Sequence, residues 1–139
     1  MTETKYPEAF SQFVEYCVGW VNKLQLGEWE VRFMLTPHRQ MADENSLSEC
    51  STTQSRLAII SFPDPPLKAM TDQELQRLAF HEAGELLLAP LVRLIESDRR
   101  ISNDEITETV HAVLNRLEHL LLDAGKVPAL VERELPAAP

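Results

Sequence analysis

The stretch that most constrains how this chain can fold is the pentapeptide His81-Glu82-Ala83-Gly84-Glu85, set in the most apolar part of the sequence. Leu75, Leu78, Ala79 and Phe80 precede it, and Leu86, Leu87, Leu88 and Ala89 follow it. A helix that buries this stretch must also take a histidine and two carboxylates out of water. That is costly unless something offsets the charge. A bound metal ion is the commonest offset.

The rest of the chain is large enough to supply a core around that helix. With 139 residues it reads as one domain over residues 1–125, followed by an irregular tail over residues 126–139. The formal net charge of -9, with only 13 lysines and arginines and no basic run, argues against nucleic acid or an anionic membrane surface as a partner. Cys17 and Cys50 are too few and too far apart for a disulfide framework, and each reads as a small buried hydrophobe in a reducing compartment. No apolar run is long enough to span a bilayer, and the polar start from Met1 to Pro7 does not resemble a signal peptide. The expectation is a cytoplasmic protein.

Periodicity predicts the elements. Phe10, Phe13, Val14, Cys17, Val18, Val21 and Leu24 recur at helical spacing from Pro7 to about Leu26, with Gly27 as the stop. Trp29, Val31, Phe33 and Leu35 alternate as a half-buried strand that Pro37 ends. His38 to Asn45 reads as a loop, Leu47 to Thr53 as a second strand, and Arg56 to Phe62 as a third, joined through Gln54 and Ser55. Pro63, Pro65 and Pro66 then exclude regular structure. A long helix begins at Thr71, an N-cap with Glu74 completing a capping box, and runs to about Ile95 with a bend at Pro90. Apolar residues surround it on nearly all sides, which predicts a central helix. A last helix starts at Ser102 or Asn103 and carries Ile106, Val110, Val113, Leu114, Leu117, Leu120 and Leu121. The order is helix, three strands, helix, helix: an α+β fold.

Residues four apart on a helix share a face, so His81 and Glu85 can point at a single ion. Imidazole and carboxylate are both good zinc ligands. Glu82 is turned by about 100° from His81, which removes it from the ligand set and suits it to be the general base for a bound water. The string is one residue short of His-Glu-x-x-His, with Glu85 in place of the second histidine. Gly84 costs roughly 1 kcal/mol in a helix interior, which suggests a close approach there. The best third ligand is His111 on the following helix, with Glu108 and Glu118 as alternatives. His38 and His119 read as solvent-facing. A plain ion pair between His81 and Glu85, with no metal, is the competing interpretation.

The run His81-Glu-Ala-Gly-Glu-Leu-Leu-Leu-Ala-Pro-Leu91 resembles the active-site helix of small phage- and prophage-encoded zincin-like metallopeptidases. The resemblance includes Leu24-Gln-Leu-Gly-Glu-Trp-Glu-Val-Arg32, Ala58-Ile-Ile60 and Val113-Leu-Asn-Arg-Leu-Glu118, and covers roughly residues 10 to 122. It implies a minimal zincin-like domain: an N-terminal helix, a small three-stranded sheet, an active-site helix and a C-terminal helix. The family's second motif histidine is Glu85 here, and its downstream glutamate ligand falls at or near His111. The set His81, Glu85 and His111 would then keep two imidazoles and one carboxylate on a zinc ion, with manganese or nickel as other occupants. The implied activity is peptide hydrolysis with Glu82 as general base, the substrate held on the edge of the Arg56–Phe62 strand. The alternatives are an inactive zincin-like module that engages a host protein and a processing factor with one dedicated partner.

Overall fold

A computed structural model describes residues 3–4 and 8–122. In chain order the elements are β1 (Glu3–Thr4), α1 (Glu8–Lys23), β2 (Glu30–Pro37), a 3-10 turn (His38–Gln40), β3 (Glu49–Thr52), β4 (Leu57–Asp64), β5 (Met70–Thr71), α2 (Asp72–Glu96) and α3 (Asn103–Leu122). The fold is α+β, with three α-helices and a small three-stranded sheet. The expected tail over residues 126–139 lies outside the described residues. No helix among the described residues is long and apolar enough to cross a membrane.

The strand order is β2-β4-β3, with β4 parallel to β2 and antiparallel to β3. The Arg56–Phe62 strand is therefore the centre of the sheet, not an edge on which a peptide could lie. The physical reason is burial: Ala58, Ile60 and Phe62 alternate inward and are fully covered, so β4 is the strand the core requires in the middle. The edges are β2 and β3. Pro63 does not stop β4, which runs on to Asp64 beside β2. After the prolines, β5 pairs antiparallel with β1, a two-stranded ribbon that the proline-rich reading excluded.

Helices α1 and α2 pack on the face of the sheet that carries Ile60 and Phe62. Phe13 and Phe62 meet with ring centroids 5.0 Å apart, and Ala9, Cys17, Leu75 and Ala79 close the same cluster. A second cluster joins Leu24, Leu26, Trp29 and Ala58 to Ala83, Leu86 and Leu87, with Val113, Leu117 and Leu120 of α3 against it. Glu28 locks this end: its Oε1 accepts from Arg116 at 2.5 Å and from Arg56 at 3.1 Å.

Thr71 caps α2 as expected, its hydroxyl oxygen accepting from the Glu74 N–H at 3.2 Å. The Glu74 carboxylate pairs with Lys68 at 3.6 Å. The helix continues uninterrupted through Pro90. It is not enclosed, however. Its buried side is Leu75, Ala79, Glu82, Ala83, Leu86, Leu87 and Ala89, while Phe80, Leu88, Val92 and Ile95 are exposed. On α3, Ile106, Val110, Leu114 and Leu121 are exposed as well, so only the Val113-Leu117-Leu120 row of its apolar face reaches the core.

Helix α1 stops at Lys23, before the glycine expected to end it. Leu26 N–H bonds to the Val21 carbonyl at 2.9 Å and Gln25 N–H to Asn22 at 3.1 Å, a Schellman arrangement with Gln25 in the left-handed region (φ 54°). Leu26, 1% exposed, supplies the apolar contact that closes the motif. Similarly, the β3–β4 hairpin uses three loop residues, Gln54, Ser55 and Arg56, with Arg56 left-handed (φ 65°) and its guanidinium over the Trp29 ring. A side chain in the left-handed region costs about 1 kcal/mol relative to glycine. Gln25→Gly should therefore stabilise the protein by about that amount in urea denaturation; an unchanged or lower midpoint would contradict the role assigned to this turn.

Candidate metal centre

The site is built where β3 lies along α2. In a strand, residues two apart share a face, and Ser48, Cys50 and Thr52 form such a row. Each meets α2 in turn. The Ser48 hydroxyl donates to Glu82 Oε1 at 2.8 Å, Cys50 Sγ lies beside Glu82 and Glu85, and Thr52 Oγ1 accepts from Arg93 at 3.4 Å. The loop leading into β3 is held by the Glu49 carboxylate, which accepts from the Ala42 and Asp43 N–H groups at 3.0 and 2.8 Å. That clasp fixes Ser48 over Glu82.

Glu82 is the buried charged side chain among the described residues, 2% exposed inside the α2–β3 contact. One oxygen is satisfied by Ser48. The other, Oε2, is buried without a hydrogen-bond partner. Burial pushes the carboxyl up from its ordinary 4.5 to about 7; the Ser48 hydrogen bond opposes this, and the Glu85 charge, a hydrogen bond that protonated Glu82 shares with the Glu85 carboxylate and the Glu49 charge add to it. Cys50 opposite is half-buried, and burial, then the Glu82 and Glu85 charges, push its thiol up to about 12. Cys17 is fully buried in the core beneath, its thiol raised for the same first reason.

Among the described residues, one group of potential ligand atoms converges: Cys50 Sγ and carboxylate oxygens of Glu82 and Glu85, all within 4.8 Å of one another. Glu82, set aside as a ligand on helical angle alone, reaches this group because it points under β3 rather than away from it. His81 and Glu85 share a face as expected, with Nε2 and Oε1 3.5 Å apart, and their side chains are 68% and 48% exposed. The two stand within ion-pair distance on the rim of the converging group.

His111 is not brought to His81 and Glu85. Helix α3 meets α2 through Val113, Leu117 and Leu120. His111 precedes Val113 by two positions and so points roughly 160° away from it, to solvent. Glu108 and Glu118 are likewise exposed on the far side. The apolar spacing of Ile106 to Leu121 leaves open which part of that face meets α2, and packing selects the Val113-Leu117-Leu120 row. His119 is exposed as expected, whereas His38 is half-buried in the 3-10 turn, with Nδ1 lacking a hydrogen-bond partner. Cys50 was missed as a site residue. The signal available was the alternation of small polar residues Ser48, Cys50 and Thr52, which marks one face of a strand.

A groove of about 1390 Å³ borders the group, lined by Cys50, Thr52 and Gln54 on one side and by His81, Glu85, Leu88 and Val92 of α2 on the other. Gly84 lies on its floor. A Cβ there would meet nothing within 4 Å, so the glycine accommodates no close neighbour and instead leaves the groove open. No family model, curated protein or solved structure matches the chain.

Two outcomes follow from this geometry. Glu82 has a folded pKa above its unfolded value, so its contribution to stability is full below about pH 4.5 and is lost as pH rises through about 7. In chelator-treated protein at pH 8, Glu82→Gln should be more stable than wild type by roughly 2–3 kcal/mol, with the gap closing near pH 4.5. A constant difference across that range in denaturant melts would contradict a buried ionising carboxyl. Gly84→Ala should raise stability by about 0.5–1 kcal/mol, as should Gly19→Ala in α1, where an added Cβ also meets nothing. A destabilised Gly84→Ala would show that the groove floor is packed, contrary to the geometry.

Proposed function

We propose that this chain is a metal-dependent peptide hydrolase of zincin-like type, in which Glu82 is the general base. The observation that carries the reading is the buried Glu82 carboxylate, whose Oε2 has no hydrogen-bond partner and which belongs to a group of potential metal ligands beside an open groove. A buried carboxylate oxygen without a partner is costly in a fold that has no use for it. The donor set fits a zinc-class ion: Glu85 lies in the group with Glu82, His81 Nε2 stands 3.5 Å from Glu85, and carboxylate and imidazole are both zinc ligands. A bound ion would polarise the substrate carbonyl and acidify a water.

The chain's own residues do the rest. Glu82 Oε2 accepts the proton of the attacking water, and the Ser48 hydroxyl holds Oε1; Glu82 lines a smaller hollow next to the groove, with Ser48 and His81. The peptide lies along β3, which is an edge strand and pairs with β4 on one side only among the described residues. Its outer edge offers backbone N–H and C=O groups to an extended chain. Leu88 and Val92 supply the apolar wall across the groove. The acidic surface, net -9, favours a neutral or basic peptide and disfavours nucleic acid.

Glu82→Gln is the deciding variant. It should retain bound metal on elemental analysis yet lose hydrolysis of a quenched-fluorescence peptide library by about 10²–10⁴-fold, the range that general-base catalysis contributes. Hydrolysis by Glu82→Gln at the wild-type rate would overturn the enzyme reading, as would wild-type protein that binds no metal. Retained metal with no cleavage by wild type would favour an inactive zincin-like binding module.

A further inference from the structure

We propose that Cys50, on the edge strand β3, is a ligand of the metal and completes the set that His81 and Glu85 begin on α2. This rests on the metal-dependent reading above and replaces His111 as the third donor. The case is geometric. Cys50 Sγ, Glu82 and Glu85 present ligand atoms within 4.8 Å of one another. In a tetrahedral site with bonds of about 2.3 Å to sulfur and about 2.1 Å to oxygen, the two donor atoms stand roughly 3.6 Å apart. Closing to that spacing takes about an ångström, within the reach of a side-chain rotation of the half-exposed Glu85.

A lone thiol would carry little weight without the second observation. Glu82 is 2% exposed, its carboxylate belongs to the same group, and its Oε2 has no hydrogen-bond partner. An ion held by Cys50 and Glu85 would carry a water at that oxygen, satisfying it. His81, its imidazole 3.5 Å from Glu85 and mostly solvent-exposed, can turn onto the same ion. The site is thus made by two elements, α2 and β3, and the row Ser48, Cys50, Thr52 serves as one side of it: Ser48 orients the base and Cys50 holds the ion.

A thiolate in the set changes the choice of ion. Sulfur donors select zinc and its chemical relatives over magnesium, calcium and manganese, which prefer oxygen. On binding, the Cys50 S–H bond breaks and the S–metal bond forms, and the proton leaves to solvent. The same sulfur makes the loaded site sensitive to thiol reagents, which a site of histidines and carboxylates would not be.

Cobalt(II) titration of the full chain tests this directly. Wild type should bind one equivalent and show both the visible bands of tetrahedral cobalt and a strong near-ultraviolet sulfur-to-cobalt charge-transfer band. Zinc should displace the cobalt, whereas excess magnesium should not. Cys50→Ser should lose the charge-transfer band and weaken zinc binding by about a hundredfold or more, above the range seen for residues that only support a ligand. Cys50→Asp, which restores an anionic donor, should bind cobalt without that band. Cys17→Ser and His111→Ala should both behave as wild type. Tetrahedral cobalt bands without charge transfer in wild type would overturn the role of Cys50 and leave the metal-dependent reading standing. So would loss of binding in His111→Ala. Wild type that binds no cobalt at all would overturn both. Because the decisive band is read on wild type, failure of Cys50→Ser to fold does not remove the test.

Discussion

The hydrogen bond from Ser48 to Glu82 is the contact on which the organisation of this protein turns. It joins the strand edge to the long helix at the one point, among the described residues, where a charged side chain is buried. To place it, the chain clasps the preceding loop with Glu49, lays β3 along α2, and anchors the far end of β3 through Thr52 and Arg93. Around that seam the rest is ordinary packing: α1 and α2 over the inward face of β4, with α3 closing the second cluster through a single row of apolar residues.

The seam is also where stability is set against chemistry. A carboxylate in this position destabilises the fold once it ionises, and a small core gains nothing from that placement. A catalytic or metal-binding role gives the carboxylate a reason to be there, since active sites are where such unfavourable burial recurs. Gly84 fits the same pattern. It weakens the helix without admitting a close neighbour, and its effect is to keep the groove beside Glu85 unobstructed. Both residues conflict with local stability rules and agree with a site, which is how functional positions stand out from structural ones.

Much of the fold was legible in the chain. The helices follow from apolar spacing, the start of α2 from Thr71, the start of α3 from Ser102, whose hydroxyl oxygen accepts from Glu105 N–H at 3.1 Å, and the strands from alternation. What failed did so for definite reasons. Strand order was not legible, because alternation shows that a strand is half-buried without showing its neighbours; only the complete burial of Ala58, Ile60 and Phe62 makes β4 central. The stop of α1 was assigned to Gly27 on residue type, whereas a buried Leu26 pulled the turn two residues earlier and forced Gln25 into the left-handed region. The apolar residues of α3 mark a helix face, and packing against one neighbouring helix covers only one row of it.

What the sequence determined by itself was the helix carrying His81, Glu82 and Glu85, because helical spacing and local apolarity fix it independently of any partner; of the three polar groups expected to leave water, packing buries Glu82 alone and leaves His81 and Glu85 exposed. The tertiary structure alone decided which side chains meet there. Helix α3 is rotated so that His111 faces solvent, while the short strand β3 and the residue leading into it supply Cys50 and Ser48 instead. The reason is that spacing along the chain fixes which residues share a face, whereas which faces come together depends on packing between elements distant in sequence.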